Sequence, residues 1–163
     1  MRAKVSGSMG LIAVGLALMI VSVSPAWADS AAQTMTPQQR VDSAPKGTLK
    51  NPYRTDQQDK VKEGHELFMS YSCNGCHGGT GGGGMCPPLT GDVWFYGIDD
   101  DTLFRLVTLG SLGMDRAGFQ HLGGPGLQMP PFASILKSDD ELWKILTWIR
   151  TVYKGDPKKK TWE

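Results

Sequence analysis

The chain has 163 residues, with 17 basic and 16 acidic side chains and a formal net charge of +1. Such near balance excludes the basic face that a nucleic-acid partner needs. The length, with no internal repeat, leaves room for one small domain whose core is modest.

The N-terminus places Arg2 and Lys4 before an uncharged, mostly apolar segment, Gly10 to Val23, and then the small-residue site Ala26-Trp27-Ala28 ahead of Asp29. These are the three parts of a secretory signal. The apolar stretch is shorter than the ~20 residues a bilayer-spanning helix requires, and Pro25 interrupts it. Residues 1–28 are therefore expected to be a cleaved signal peptide, with a periplasmic product and no stable membrane insertion afterwards. Cleavage takes away Arg2 and Lys4 and leaves 15 basic against 16 acidic side chains. Residues 29–54 are Ala, Gln, Ser, Thr, Pro and scattered charge, which predicts a flexible polar leader.

Residues 55–155 carry the folded part. Between Gln57 and Tyr71 the residues Val61, Gly64, Phe68 and Tyr71 recur at helical spacing, and Gly64 in that stripe suggests a close approach by another helix. "CNGCH" follows at Cys73 to His77, then the glycines between Gly78 and Gly84, then Cys86 and Pro87. Trp94 and Tyr96 lie in "VWFYG", as core residues or as hydrogen-bond donors to a bound group. A helix is predicted from Asp100 to Leu109, capped by the acidic run at its start, with Leu103, Leu106 and Val107 inward and Gly110 after its end. Residues 111–137 read as irregular and contain Met114, His121 and Met129-Pro130-Pro131. The last helix opens with Ser138 and Glu141 as a capping box and runs through Leu142, Ile145, Leu146, Ile149, Val152 and Tyr153 until Gly155 and Pro157 stop it. Residues 156–163 form a short basic tail. No strand pattern competes, so the domain should be all-α, with its irregular segments packed on a bound cofactor.

Cys73, Cys76 and His77 form C-x-x-C-H, the attachment signature of a c-type haem. Two thiols three residues apart can add to the two vinyl groups on one porphyrin edge, and His77 then brings an imidazole nitrogen to the iron. The other uses of the spacing fit less well. A redox C-x-x-C expects a βαβ context, tetrahedral zinc needs a fourth ligand, and a Cys73–Cys76 disulfide closes too small a loop to stabilise much. The expected cofactor is one covalent haem c with its iron, bound by Cys73, Cys76, His77 and Met129, with metal ligands His77 and Met129. Met129 is expected as the sixth ligand because the prolines hold its segment extended. Met114 and His121 remain alternatives, as does an open site. Cys86 is the odd cysteine, read as a small buried apolar residue near the haem, or else as a free thiol.

With Gly64 and Phe68, "CNGCH", "CPPLTG", a later Met-Pro and "DELWKILTWIRTVY", the chain resembles class I cytochrome c over about Gln57 to Tyr153. The resemblance implies three main helices and irregular loops wrapped around one haem, with Gly64 and Phe68 meeting the region of Trp148 and Tyr153. It also implies that the Pro87 carbonyl accepts the Nδ1 hydrogen of His77. Cys86 stands where that family commonly has glycine. The segments "GDVWFYG" and "YKGDPKKKTWE" are similar to parts of the cytochrome c-L group, which accepts electrons from quinoprotein alcohol dehydrogenases such as methanol dehydrogenase. The function expected is single-electron transfer rather than catalysis, from a periplasmic dehydrogenase to a downstream cytochrome or oxidase. The alternatives are a general periplasmic shuttle to a terminal oxidase and a haem sensor or peroxidase-like protein with an open sixth site.

Overall fold

The computed structural model describes residues 35–122 and 128–156. The expected signal peptide, residues 29–34 and the tail from residue 157 lie outside the described residues. Among the described residues five helices follow in order: α1 (Pro37–Ser43), α2 (Gln58–Ser70), α3 (Asn74–His77), α4 (Asp100–Arg116) and α5 (Asp139–Val152). Among the described residues there is no strand, and no helix is long and apolar enough to cross a membrane.

The packing centre is the crossing of α2 and α5. Gly64 and Phe68 are the buried residues of α2. A β-carbon at Gly64 would overlap the carbonyl oxygen of Lys144, so the two backbones touch, and any other residue would force the helices apart. One turn on, the Phe68 ring packs on Trp148 with centroids 4.5 Å apart. Gly64 thus meets Lys144 and Ile145 instead of Trp148, while Tyr153 turns away to set its edge against Trp94 at 4.8 Å.

The N-cap of α5 is half of the expected capping box. Ser138 Oγ accepts from Glu141 N at 3.3 Å, but the Glu141 carboxylate accepts from Lys137 N at 3.0 Å and from the Tyr71 hydroxyl at 2.7 Å. The helix is also buried on more than its expected stripe, since Trp143, Thr147 and Trp148 are buried beside Leu142, Ile145, Leu146 and Ile149. A stripe of one face does not account for this; a second layer does.

That layer is the segment expected to be a flexible leader, and for residues 35–54 the expectation is corrected. Thr36 and Gln39 form a reciprocal capping box for α1, with Pro37 in its first turn. Val41 and Leu49 enter the core at 8% and 6% exposure. Arg105, on α4, donates to the carbonyls of Val41, Ala44 and Pro45 at 3.3, 2.7 and 3.1 Å, and to Asp101 Oδ2 at 2.9 Å. Asp101 in turn accepts from Leu49 N at 3.1 Å. Asn51 donates to Trp143 O and Thr147 Oγ1 on α5, and Arg40 Nε to Asp139 Oδ2 at 2.7 Å. The segment therefore buries Phe104 and Trp143, whose rings lie 4.3 Å apart beneath it. Its polar composition is no guide here because its partners are on other helices.

The helix α4 departs from expectation at its end. Asp99 caps it, accepting from Thr102 N at 2.9 Å, and Leu103 faces inward as predicted. Gly110, at φ 68° and ψ 172°, breaks it where the sequence predicts its end, but Ser111 to Arg116 then resume helical form.

Candidate cofactor site

Between α2, α4, α5 and the loops lies a cavity of about 430 Å³, within the range of sites that hold small molecules and cofactors. Its apolar wall includes Phe68, Leu103, Val107, Leu146 and Ile149. The sequence-predicted residues converge on it from separate elements. Cys73 and His77 line it from the two ends of α3, Pro87 from the loop after the glycines, and Met129 from the extended segment before α5. Cys76 sits on α3 between them, outside the lining, with its carbonyl accepting from Cys86 N at 3.1 Å. Met114 is fully buried elsewhere, while Met69 and Met85 are exposed at the surface. His121 does reach the cavity, but through a partly exposed ring held 3.6 Å from Asp115.

The orientation of His77 follows from local geometry. Its Nδ1 lies 3.0 Å from the Pro87 carbonyl oxygen. A carbonyl can only accept, so Nδ1 carries the hydrogen and the neutral ring keeps its lone pair on Nε2. That leaves Nε2 as the nitrogen able to bind a metal, with a carbonyl behind the ring fixing its orientation. The loop that presents Pro87 is tied by backbone bonds: Gly83 N to His77 O at 2.8 Å, Gly81 N to Gly78 O at 3.0 Å and Leu89 N to Gly81 O at 2.8 Å. Cys86 is half-buried instead of fully buried. Burial, and then the neighbouring Cys76 thiol, pushes its own thiol up to about 11, and burial alone does most of the same for Cys73, also about 11. His65 stacks on Trp148 at 4.5 Å and donates to Gly79 O at 2.8 Å, away from the cavity.

Trp94 and Tyr96 both line the cavity, but only one has a donor to offer. The Tyr96 hydroxyl lies 2.8 Å from Asp115 Oδ1 and 3.3 Å from Ser111 O. Burial and then the Asp115 carboxylate raise it to about 12, so it stays a protonated donor to those partners. Trp94 Nε1 is buried and has no hydrogen-bond partner among the described residues. A buried donor left unpaired costs about 1–3 kcal/mol, and an acid-bearing cofactor in the cavity would relieve it. Haem fits the donor set on this test: an imidazole nitrogen and a thioether on one apolar cavity, two thiols at its edge, and an indole N–H awaiting a carboxylate. Among the described residues no group of three or more His, Cys, Asp and Glu side chains is placed to hold a metal ion.

The family model described as cytochrome C oxidase, cbb3-type, subunit III, matches residues 59–149, more than half of the chain. The chain is a class I c-type cytochrome of that family. It is similar to cytochrome c-L of Methylorubrum extorquens, 28% identical over 109 residues that make up 66% of this chain and 47% of that one. The cytochrome thus spans about half the length of this curated relative. Among solved structures, cytochrome cL from the marine methylotrophic bacterium Methylophaga aminisulfidivorans aligns over 75% of this chain and 70% of that one, at 28% identity and a TM-score of 0.52. Cytochrome cL from Hyphomicrobium denitrificans aligns over 60% and 49%, at 29% identity and a TM-score of 0.45. The cytochrome carries covalent haem c with its iron, as its family does.

The residues that sequence reasoning missed are Ser111 and Asp115. Both lie in the stretch read as irregular, and both line the cavity. Nothing in their spacing marks them, since their partners are Met129 and Tyr96, far along the chain.

Proposed function

We propose that Cys73 and Cys76 form the thioether bonds, that His77 and Met129 are the axial ligands, and that the protein carries single electrons in the periplasm from a quinoprotein alcohol dehydrogenase to a downstream cytochrome or oxidase. The observation that carries this reading is the shared cavity wall of His77 and Met129, with His77 Nδ1 already engaged by Pro87. Bound haem supplies an iron that cycles between two oxidation states. His77 is held in one tautomer and one orientation with Nε2 available to hold the iron, Met129 would offer a soft thioether that favours the reduced form and raises the potential, and Trp94 would offer its N–H to an acid group of the cofactor. Export and cleavage after Ala28 belong to the same reading, and the dehydrogenase is suggested by the c-L relatives, one of them from a methylotroph.

His121 on the cavity, with Asp115 behind it, supports a second reading in which an acid–base pair serves an open sixth site. One set of measurements separates the two. Haem should stay on the polypeptide after denaturation and extraction with acidic organic solvent, also in Cys86→Ser. Met129→Ala should lower the potential and open the ferrous protein to carbon monoxide, while Met114→Ala should do neither. Ready carbon monoxide binding by the unmutated protein would favour the open site. Stopped-flow reduction by a quinoprotein alcohol dehydrogenase tests the donor, and no reduction beside fast exchange with a membrane cytochrome complex would leave the general shuttle.

A further inference from the structure

Met129 is held by a residue eighteen positions before it. Its N–H donates to Ser111 Oγ at 3.0 Å, and its carbonyl oxygen accepts from Ser111 N at 2.9 Å. One serine therefore engages both backbone polar groups of the methionine. The next two residues, Pro130 and Pro131, have no amide hydrogen, so Met129 is the residue of this turn able to make both bonds.

The break in α4 makes these groups available. In a continuous helix, Ser111 N would donate to Val107 O, and the next amide to Thr108 O. With Gly110 at φ 68° and ψ 172°, the Ser111 amide turns to Met129 instead. The two released carbonyls accept from the far side of the prolines: Val107 O from Phe132 N at 2.9 Å and Thr108 O from Ala133 N at 3.3 Å. Gly110 is needed for contact as well as for conformation. A β-carbon there would stand 2.7 Å from Met129 O, 2.7 Å from Pro131 N and 2.9 Å from Pro130 C. The short helical stretch bearing Ser111 is itself fixed, through the Tyr96 hydroxyl at Ser111 O and Asp115 Oδ1.

We propose that Gly110 and Ser111 are positioning residues for the sixth ligand: the broken helix clamps the Met129 backbone at the cavity so that the thioether is held ready for the iron. This rests on the assignment of Met129 as that ligand. A thioether is a weak ligand on a flexible side chain, and on an unrestrained segment the backbone entropy gained on release would favour its loss. Clamping the backbone leaves only side-chain rotation to oppose ligation.

The test uses purified holoprotein variants, reading carbon monoxide binding to the ferrous form and the sulfur-to-iron charge-transfer absorption of the ferric form. Ser111→Ala removes the oxygen that receives Met129 N–H; carbon monoxide should bind about five- to tenfold faster, the size expected from one hydrogen bond, with a weaker ferric band. Ser111→Thr keeps the hydroxyl and should restore both readouts. Gly110→Ala should open the site further, or fail to yield holoprotein. Unchanged readouts in Ser111→Ala, or equal opening in Ser111→Thr, would overturn the clamp. Met129→Ala keeps the two claims apart: if it leaves the site closed, the ligand assignment fails, whereas if it opens the site while Ser111→Ala behaves like the unmutated protein, the clamp alone fails.

Discussion

Two segments of this cytochrome read as slack, residues 35–54 and the glycine loop from Gly78 to Gly84, and both are ordered by opposite means. The N-terminal segment is held by side chains of other helices that reach its backbone, Arg105 and Asp101 above all. The glycine loop is held by its own backbone, with Gly81, Gly83 and Leu89 amides returning to carbonyls a few residues away and with Gly78, Gly81 and Gly83 at positive φ. One depends on distant charge, the other on conformations that side chains disfavour. The two should therefore break under different changes.

The largest effect is expected in the N-terminal segment. Arg105 is 6% exposed and Asp101 2% exposed, so Arg105→Ala removes the charged partner of a buried carboxylate and one donor from each of three carbonyls. A loss of about 3–5 kcal/mol is expected, read by urea denaturation. Because Arg105 does not line the cavity, the haem spectrum should be unchanged, and a shifted spectrum would mean that the two regions are coupled.

Next is Gly81→Ala in the loop. Gly81 is buried at φ 73°, and a β-carbon would come within 3.3 Å of Val152 Cγ2. The strain should cost about 1–2 kcal/mol, and the same denaturation curves measure it.

A smaller effect should separate the regions by pH. Burial raises the Asp101 carboxyl, but Arg105 and the amides of Gly47 and Leu49 outweigh it and hold it below the usual carboxylate value. The sign follows: a depressed folded pKa contributes stability above the unfolded value of about 3.9, and that contribution is lost as pH falls through the lower folded value. Below about pH 4 the N-terminal segment should loosen, seen as faster amide exchange at Leu49, while the uncharged glycine loop keeps its protection. Equal loss in both would mean that they unfold as one unit.

The smallest change in stability is expected for Gly82→Lys, at an exposed position where a β-carbon meets only Thr80 Oγ1 at 3.6 Å. Stability should stay within about 0.5 kcal/mol. If a donor protein docks at this edge, its stopped-flow reduction of the haem should slow several-fold with modest salt dependence. An unchanged rate would place the docking face elsewhere.

Much of the fold was legible because its causes are local or periodic. Gly64 and Phe68 share a helical stripe, Ser138 precedes an acidic first turn, and Cys73, Cys76 and His77 fall within one turn of helix whose spacing suits haem attachment. The hydrogen bond from His77 to Pro87 was anticipated through family resemblance, since ten residues of glycine-rich chain carry no periodic signal. Trp143, Thr147 and Phe104 were missed as buried residues because the layer over them comes from a mostly polar segment, in which Val41 and Leu49 are the buried aliphatic side chains.

By itself, the sequence determined the helical class and the motif of Cys73, Cys76 and His77, both set by residues close together in the chain. Tertiary structure decided which methionine reaches the cavity, which aromatic donor is left unpaired, and whether the polar N-terminal segment is ordered. Met114 and Met129 are chemically the same ligand, and Trp94 and Tyr96 are both donors. What distinguishes each pair is a partner at long sequence distance: Ser111 across a broken helix for Met129, Asp115 for Tyr96. Such pairings depend on how helices are brought together, and only packing around the α2–α5 crossing supplies that.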